Sequence, residues 1–194
     1  ILGPVALDVA PGETLALTGP SGIGKSTLLR LIAGLDRPTE GAIRAPDRIG
    51  MVFQEPVLLP WRTALANLTL AAGIAPDAAE AALAQVGLAG RGGLYTGQLS
   101  LGQQRRLALA RAFACRPDLL LMDEPFVSLD AEIAAEMTAL FRRLRDRSGV
   151  ATVLVTHAPA EAEALADRIV RLGGSPASVA EIRQAGRAAA APRP

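Results

Sequence analysis

The segment Gly19-Pro20-Ser21-Gly22-Ile23-Gly24-Lys25-Ser26-Thr27 constrains this chain more than any other. It follows the G-x-x-x-x-G-K-[ST] spacing, in which successive backbone N–H groups curl around phosphate oxygens. Lys25 is the only lysine; the other nineteen basic residues are arginine. A compact ammonium fits a tight loop where a planar guanidinium fork does not. Lys25 would reach the β- and γ-phosphates of a nucleotide, and the Ser26 hydroxyl would ligate Mg²⁺. The flanks agree with this reading. Leu15-Ala16-Leu17-Thr18 reads as a short buried strand before the loop. Leu28, Leu29, Leu31 and Ile32 give an apolar helical face after it, with Gly34 as the stop.

Further along, apolar runs and helical periods alternate. Val5 to Val9 reads as a strand, Pro11-Gly12 as a turn, and Ile49 to Phe53 as another strand ending at Gln54. The stretch from Thr63 to Gly87 is helical, broken near Gly73 to Pro76, and a Gly-rich connection leads to Ser100. Ser100 with Gln103 makes a capping box, opening a helix that ends before Pro117. Leu119 to Met122 is a continuous apolar run, the mark of a strand covered on both faces. A helix from Asp130 to Arg147, a strand from Val150 to Thr156, a helix from Glu161 to Ala166 and a last strand from Arg168 to Leu172 complete the pattern. The fold class is α/β with a mostly parallel central sheet, and residues 63–113 read as a helical subdomain inserted into it. Arg142, Arg143, Arg145 and Arg147 read as a solvated face near a helix C-terminus, or as a seat for an acidic partner.

At 194 residues, half of them hydrophobic, the chain makes one domain, residues 1–173, with an extension at 174–194. The Ala/Pro/Arg-rich end from Gly186 is expected to be disordered. A net charge of +1 gives no electrostatic argument for nucleic acid. The single cysteine, Cys115, excludes an internal disulfide and reads as small apolar filler on a helix. No apolar run reaches the roughly 18 residues that span a bilayer, and no basic-then-apolar leader is seen after Ile1.

Two further sites lie at strand ends. Asp123-Glu124 directly follow the apolar run, and carboxylates at the end of a buried strand are costly unless something positive or polar meets them. Open α/β sheets take their ligands at the carboxyl ends of their strands, where the Gly-rich loop also lies. There Asp123 can hold Mg²⁺, directly or through water, and Glu124 can polarise an attacking water as general base. His157, the only histidine, closes another apolar strand and can hydrogen-bond a γ-phosphate.

Leu99-Ser100-Leu101-Gly102-Gln103-Gln104-Arg105-Arg106, taken with Gln54, Asp130 and His157, completes an order of motifs. From about Val5 to Leu172 the chain resembles the nucleotide-binding subunit of an ABC transporter, a P-loop NTPase. That resemblance implies ATP and Mg²⁺ as cofactors and ATP hydrolysis as the activity. It implies Gln54 as the Q-loop residue, a ligand of Mg²⁺ linked to the transmembrane partner. It makes Ser100, Gly102 and Gln103 the signature motif, Asp130 the D-loop aspartate and His157 the switch histidine. Two cassettes then pair head to tail, most simply as a homodimer, each ATP lying between one P-loop and the other chain's signature helix. A helix N-terminus is itself a ready anion site. Transmembrane permease subunits and, indirectly, a solute-binding protein are the implied partners, at the cytoplasmic face of a membrane.

Two departures stand out. Leu101 replaces the first glycine of the usual Leu-Ser-Gly-Gly-Gln, and a leucine is expected to strain a φ > 0 backbone and add bulk toward the nucleotide. No Phe, Tyr or Trp precedes Phe53, so the family's adenine-stacking aromatic is expected to lie upstream of Ile1. The run Phe53 to Thr63 is similar to its counterpart in nitrate, sulfonate and taurine importer ATPases. Leu58, Leu59 and Trp61 are expected to form an exposed apolar groove for a membrane subunit, or else to pack locally. A non-hydrolysing regulatory subunit and a soluble ABC ATPase acting on DNA or ribosomes are the alternatives. The second usually carries a coiled-coil insertion or two cassettes in one chain, and neither is seen here.

Overall fold

The computed structural model describes residues 2–127 and 129–186. Its elements run β1 (Thr14–Thr18), α1 (Lys25–Ile32), β2 (Ile49–Val52), α2 (Ala64–Ala72), α3 (Pro76–Gln85), a 3-10 turn (Thr96–Gln98), α4 (Leu101–Ala114), β3 (Leu119–Asp123), α5 (Ala131–Ser148), β4 (Ala151–Val155), α6 (Pro159–Leu165), β5 (Arg168–Gly173) and β6 (Ser178–Gln184). The six strands order as β2-β3-β4-β1-β5-β6. The first five are parallel, and β6 pairs antiparallel with β5.

Strand periodicity divides the core by face. Leu15, Leu17, Leu119, Leu121, Val153 and Val155 point to one side, where Leu28 and Leu29 of α1 pack. Leu120, Met122 and Leu154 point to the other, against Leu107, Leu109 and Ala110 of α4 and Met137, Leu140 and Phe141 of α5. The helix carrying the Gly-rich loop and the helix opened by Ser100 therefore lie on opposite faces of the sheet. Local chemistry sets the helix ends. Thr63 caps α2 by accepting from Ala66 N–H at 3.2 Å, Pro76 begins α3, and Asp130 caps α5 by accepting from Ile133 N–H at 2.9 Å.

Several expectations need correction. Val5 to Val9 is no strand. Its residues alternate half-buried and exposed, yet among the described residues no neighbouring backbone completes a ladder with them, and just upstream Leu2 forms an isolated bridge to Ala177. Arg168–Gly173 is not the last strand, because β6 follows it. β6 was hidden because its side chains are mostly exposed and polar, as an edge strand allows. The arginine cluster is not one solvated face. Arg145 is fully buried and donates to Thr14 Oγ1 at 3.3 Å, the Leu165 carbonyl at 3.0 Å and Asp146 Oδ1 at 2.8 Å, with its guanidinium 5.7 Å from the Phe141 ring centre. Arg142 donates to the Ala164 carbonyl. α5 turns these two arginines inward because its buried face meets β1 and α6. The expected disorder of the tail falls, from residue 187 on, outside the described residues.

Candidate nucleotide site

Strand register assembles the site. β3, β4 and β1 are adjacent, with Asp123 opposite Val155 and Leu17 opposite Val155. Glu124, His157 and the Gly-rich loop thus leave three neighbouring strands at the same level. β2 flanks β3 with Val52 opposite Met122, which brings Gln54 to the same end, exposed. The order of connections reverses beside β1, and open α/β sheets bind ligands at such a crevice.

The loop closes on itself in a defined way. Gly19 has φ +142°, and a Cβ there would stand 2.7 Å from the Leu172 carbonyl oxygen of β5, so only glycine fits. Gly24, left-handed at φ 108°, turns the chain into α1. Lys25 is 6% exposed, and its ammonium donates to the Gly19 and Pro20 carbonyls at 2.9 and 3.0 Å. The lysine is therefore held inside the curl of the loop rather than extended to solvent. Ser21, Gly22 and Ser26 are exposed, and Ile23 and Thr27 are half-buried.

Burial raises the Asp123 carboxyl above the ordinary aspartate value. A hydrogen bond from Ser26 pulls it down, the Glu124 charge pushes it up, and the Lys25 charge pulls it down. Glu124 has φ 49°, a left-handed backbone in a non-glycine residue, and its N–H donates to the Val155 carbonyl at 3.0 Å. Such a conformation costs on the order of 1–3 kcal/mol and is concentrated at functional sites. Glu124 Oε2 lies 3.3 Å from His157 Nδ1. A cavity of about 480 Å³ opens beside Thr18, Gly19 and Pro20, with His157 and Pro159 in its wall.

Among the described residues no group of three or more His, Cys, Asp or Glu side chains is placed to hold a metal on its own. Ser26 and the carboxylate of Asp123 are instead a partial, all-oxygen set. That suits Mg²⁺, which keeps waters and phosphate oxygens in its shell.

Ser100, Gly102 and Gln103 are not brought to this loop. The Ser100 hydroxyl accepts from Gln103 N–H at 3.3 Å, and Gln103 Oε1 accepts from Ser100 N–H at 3.0 Å, so the capping box is complete. These bonds stay within the start of α4, on the other face of the sheet from α1. Leu101 is the first residue of α4 and is absent from the positive-φ residues, so the expected backbone strain does not arise. A helical φ suits leucine, and what remains is its bulk, 55% exposed. Asp130 is exposed at the start of α5. Of the expected apolar groove, Trp61 is 67% exposed, whereas Leu58 and Leu59 are half-buried and Val57 is the exposed neighbour. Leu58 packs on the core below it.

Sequence reasoning missed two groups. Glu161 accepts from the Thr156 hydroxyl at 2.5 Å, beneath His157. Arg105 is buried in α4 and donates to the Val127 carbonyl at 3.3 Å. A glutamate four residues past the strand-ending histidine was the available signal for the first.

Comparison with known proteins follows the same lines. A family model described as "ABC transporter" matches residues 2–127. An aliphatic sulfonates import ATP-binding protein, SsuB, of Granulibacter bethesdensis is 49% identical over 174 residues, covering 89% of this chain and 73% of the relative. One from Rhizobium johnstonii is 49% identical over 176 residues, covering 89% and 71%. Among solved structures, the dimeric ATP-binding cassette MJ0796 in a post-hydrolysis state bound to ADP and Pi superposes with a TM-score of 0.81 at 32% identity, covering 94% of this chain and 90% of that one. The loop, the strand-end carboxylates and the extent of this similarity lead to one conclusion: the chain belongs to the ABC transporter family, as one of its ATP-binding, ATP-hydrolysing cassettes.

Proposed function

We propose that this cassette powers an importer for aliphatic sulfonates or closely related small anionic solutes. It would act as a peripheral subunit bound to transmembrane permease subunits and paired with a second cassette. The sulfonate importer relatives support the substrate class, and the dimeric cassette structures support the pairing. No helix among the described residues is long and apolar enough to cross a membrane. Trp61 and Val57, exposed beside the Gln54 segment, offer those partners an apolar contact.

The observation that carries the mechanism is the convergence of Lys25, Ser26, Asp123, Glu124 and His157 at the carboxyl ends of β1, β3 and β4. The amides of Gly22 to Thr27 and the N-terminus of α1 bind the phosphates. Lys25 leaves its loop carbonyls for the β- and γ-phosphates and stabilises the charge that develops between them. Glu124 orients the attacking water, and His157 hydrogen-bonds the γ-phosphate while holding Glu124 in place. Ser26, Asp123 and Gln54 would hold Mg²⁺, which would supply positive charge against the phosphates as negative charge develops there. Ser100, exposed, and Gly102 and Gln103, half-buried, at the start of α4 serve the nucleotide of the partner cassette, with Asp130 at the same interface. The import relatives lend no support to a non-hydrolysing subunit or a soluble non-transport ATPase.

The test is Mg-dependent ATP hydrolysis across a range of protein concentrations, wild type against Glu124→Gln. A specific rate that rises with concentration and falls at least about 100-fold in the variant is expected for loss of a water-orienting base. Undiminished turnover in Glu124→Gln would refute the assigned role. Loss of ethanesulfonate uptake on deleting the cassette tests the substrate class.

A further inference from the structure

We propose that Glu161 is a positioning residue for His157, acting through Thr156. The proposal rests on the reading of His157 given above and deepens it. Thr156 is fully buried where the chain leaves β4. Its hydroxyl does two things at once. It accepts from Ala158 N–H at 3.0 Å and donates to Glu161 Oε2 at 2.5 Å. Its own backbone N–H donates to the Leu17 carbonyl of β1 at 3.3 Å.

His157 is thus held on both sides, at Thr156 by β1 and at Ala158 by the threonine hydroxyl. Glu161, in the first turn of α6, fixes the direction of that hydroxyl. A hydroxyl proton rotates freely unless an acceptor orients it. With its proton committed to Glu161, the oxygen lone pairs face Ala158 N–H. The imidazole, itself exposed, then stays 3.3 Å from Glu124.

The clip is not what stability alone selects. Glu161 Oε1 is buried and has no hydrogen-bond partner among the described residues. Burial pushes the Glu161 carboxyl above the ordinary range, against the hydrogen bond from Thr156 and the nearby His157, while Glu124 adds to the rise. A buried carboxyl with an idle oxygen is a cost. The position is better accounted for by what it does for the neighbouring histidine.

The experiment uses the cassette assembled with its permease subunits, and measures kcat, KM for MgATP and thermal midpoint. Glu161→Ala and Thr156→Val are each expected to lower kcat roughly tenfold with KM changed less than about twofold, as for misplacement of a catalytic group. Glu161→Gln keeps an acceptor and Thr156→Ser keeps the hydroxyl, so both restore kcat to within about twofold. The double variant is no slower than the slower single, since both cut one route.

A second readout needs no turnover. His157 is the only histidine, so its imidazole ¹⁵N signals are unambiguous in the isolated cassette. Glu161→Ala moves them toward those of a free histidine, and Glu161→Gln does not. Unchanged signals and unchanged kcat in Glu161→Ala would overturn the proposal. So would a kcat loss that Glu161→Gln shares or that tracks a fallen thermal midpoint. Failure of Glu124→Gln to slow turnover would instead remove the mechanism, leaving the imidazole signals to decide the clip.

Discussion

Replacing Gly19 by alanine isolates how tightly the phosphate loop is wedged against the sheet. An added Cβ would sit 2.7 Å from the Leu172 carbonyl oxygen and 3.4 Å from Ile23 Cγ2. The second contact is ordinary, but the first needs about 0.5 Å of movement to reach a normal carbon–oxygen separation. The oxygen is not free to rotate aside, because Leu172 lies in β5 and pairs with Val179 of β6, just past the last β1 pair at Arg171. Gly22 is the control: it too has positive φ, at +75°, but an added Cβ there meets nothing within 4 Å. Both substitutions strain a backbone that L-residues avoid: Gly22→Ala by roughly 1–2 kcal/mol, and Gly19→Ala, at φ +142° and farther from the left-handed region, by at least as much. Both also recover about 0.4–1 kcal/mol from a less flexible unfolded chain. Only Gly19→Ala adds an overpacking cost of about 1–3 kcal/mol. The expected gap is therefore about 2 kcal/mol, and urea unfolding with an m-value of about 2 kcal/mol/M would show it as a midpoint about 1 M lower for Gly19→Ala. Coincident midpoints for the two variants would refute the wedge.

Arg145→Ala should destabilise by about 3 kcal/mol in the same assay, because it strips a buried guanidinium from several acceptors. Arg145→Lys should not restore it, since an ammonium lacks the fork that reaches Thr14, Leu165 and Asp146 together. Cys115 should alkylate several-fold more slowly than free cysteine at pH 8, because burial raises its thiol above the ordinary range. Iodoacetamide labelling followed by mass measurement reads the rate, and labelling as fast as free cysteine would contradict the burial. Glu161→Gln should be more stable than wild type at pH 7. Its folded carboxyl binds protons more tightly than the ordinary value of 4.5, so its contribution is full below that pH and lost as pH rises through the folded value. Urea midpoints at pH 7 and pH 4 check this: the advantage of the variant should vanish at the lower pH.

Much of the fold was legible because the relevant signals are local. The apolar run at Leu119–Met122 is a strand buried on both faces, and its neighbours supply the parallel partners. The Ser100–Gln103 box and the Gly73–Pro76 break fall where turn and cap chemistry put them. What failed was non-local. The alternation at Val5–Val9 is real as burial but finds no strand partner among the described residues, which no window of sequence can supply. β6 is an exposed edge whose existence depends on β5. At the candidate site, residue identities were readable, while the left-handed backbone of Glu124 arises only from packing, as does the inward turn of Arg145 in α5. The strain foreseen for Leu101 assumed a backbone that the start of α4 does not adopt.

The position of β1 in the sheet also bears on how the protein is made. Thr14 pairs with Thr152, and Leu15 with Arg168, so the strand that carries the phosphate loop has both its neighbours near the far end of the sequence. During synthesis at about 5–20 residues per second, that strand waits on the order of ten seconds for either partner. β2 and β3 can pair before then, but ATP has no formed loop to bind. Nucleotide therefore cannot guide the early folding of the nascent chain; it can only stabilise a sheet whose last parallel strands have already arrived.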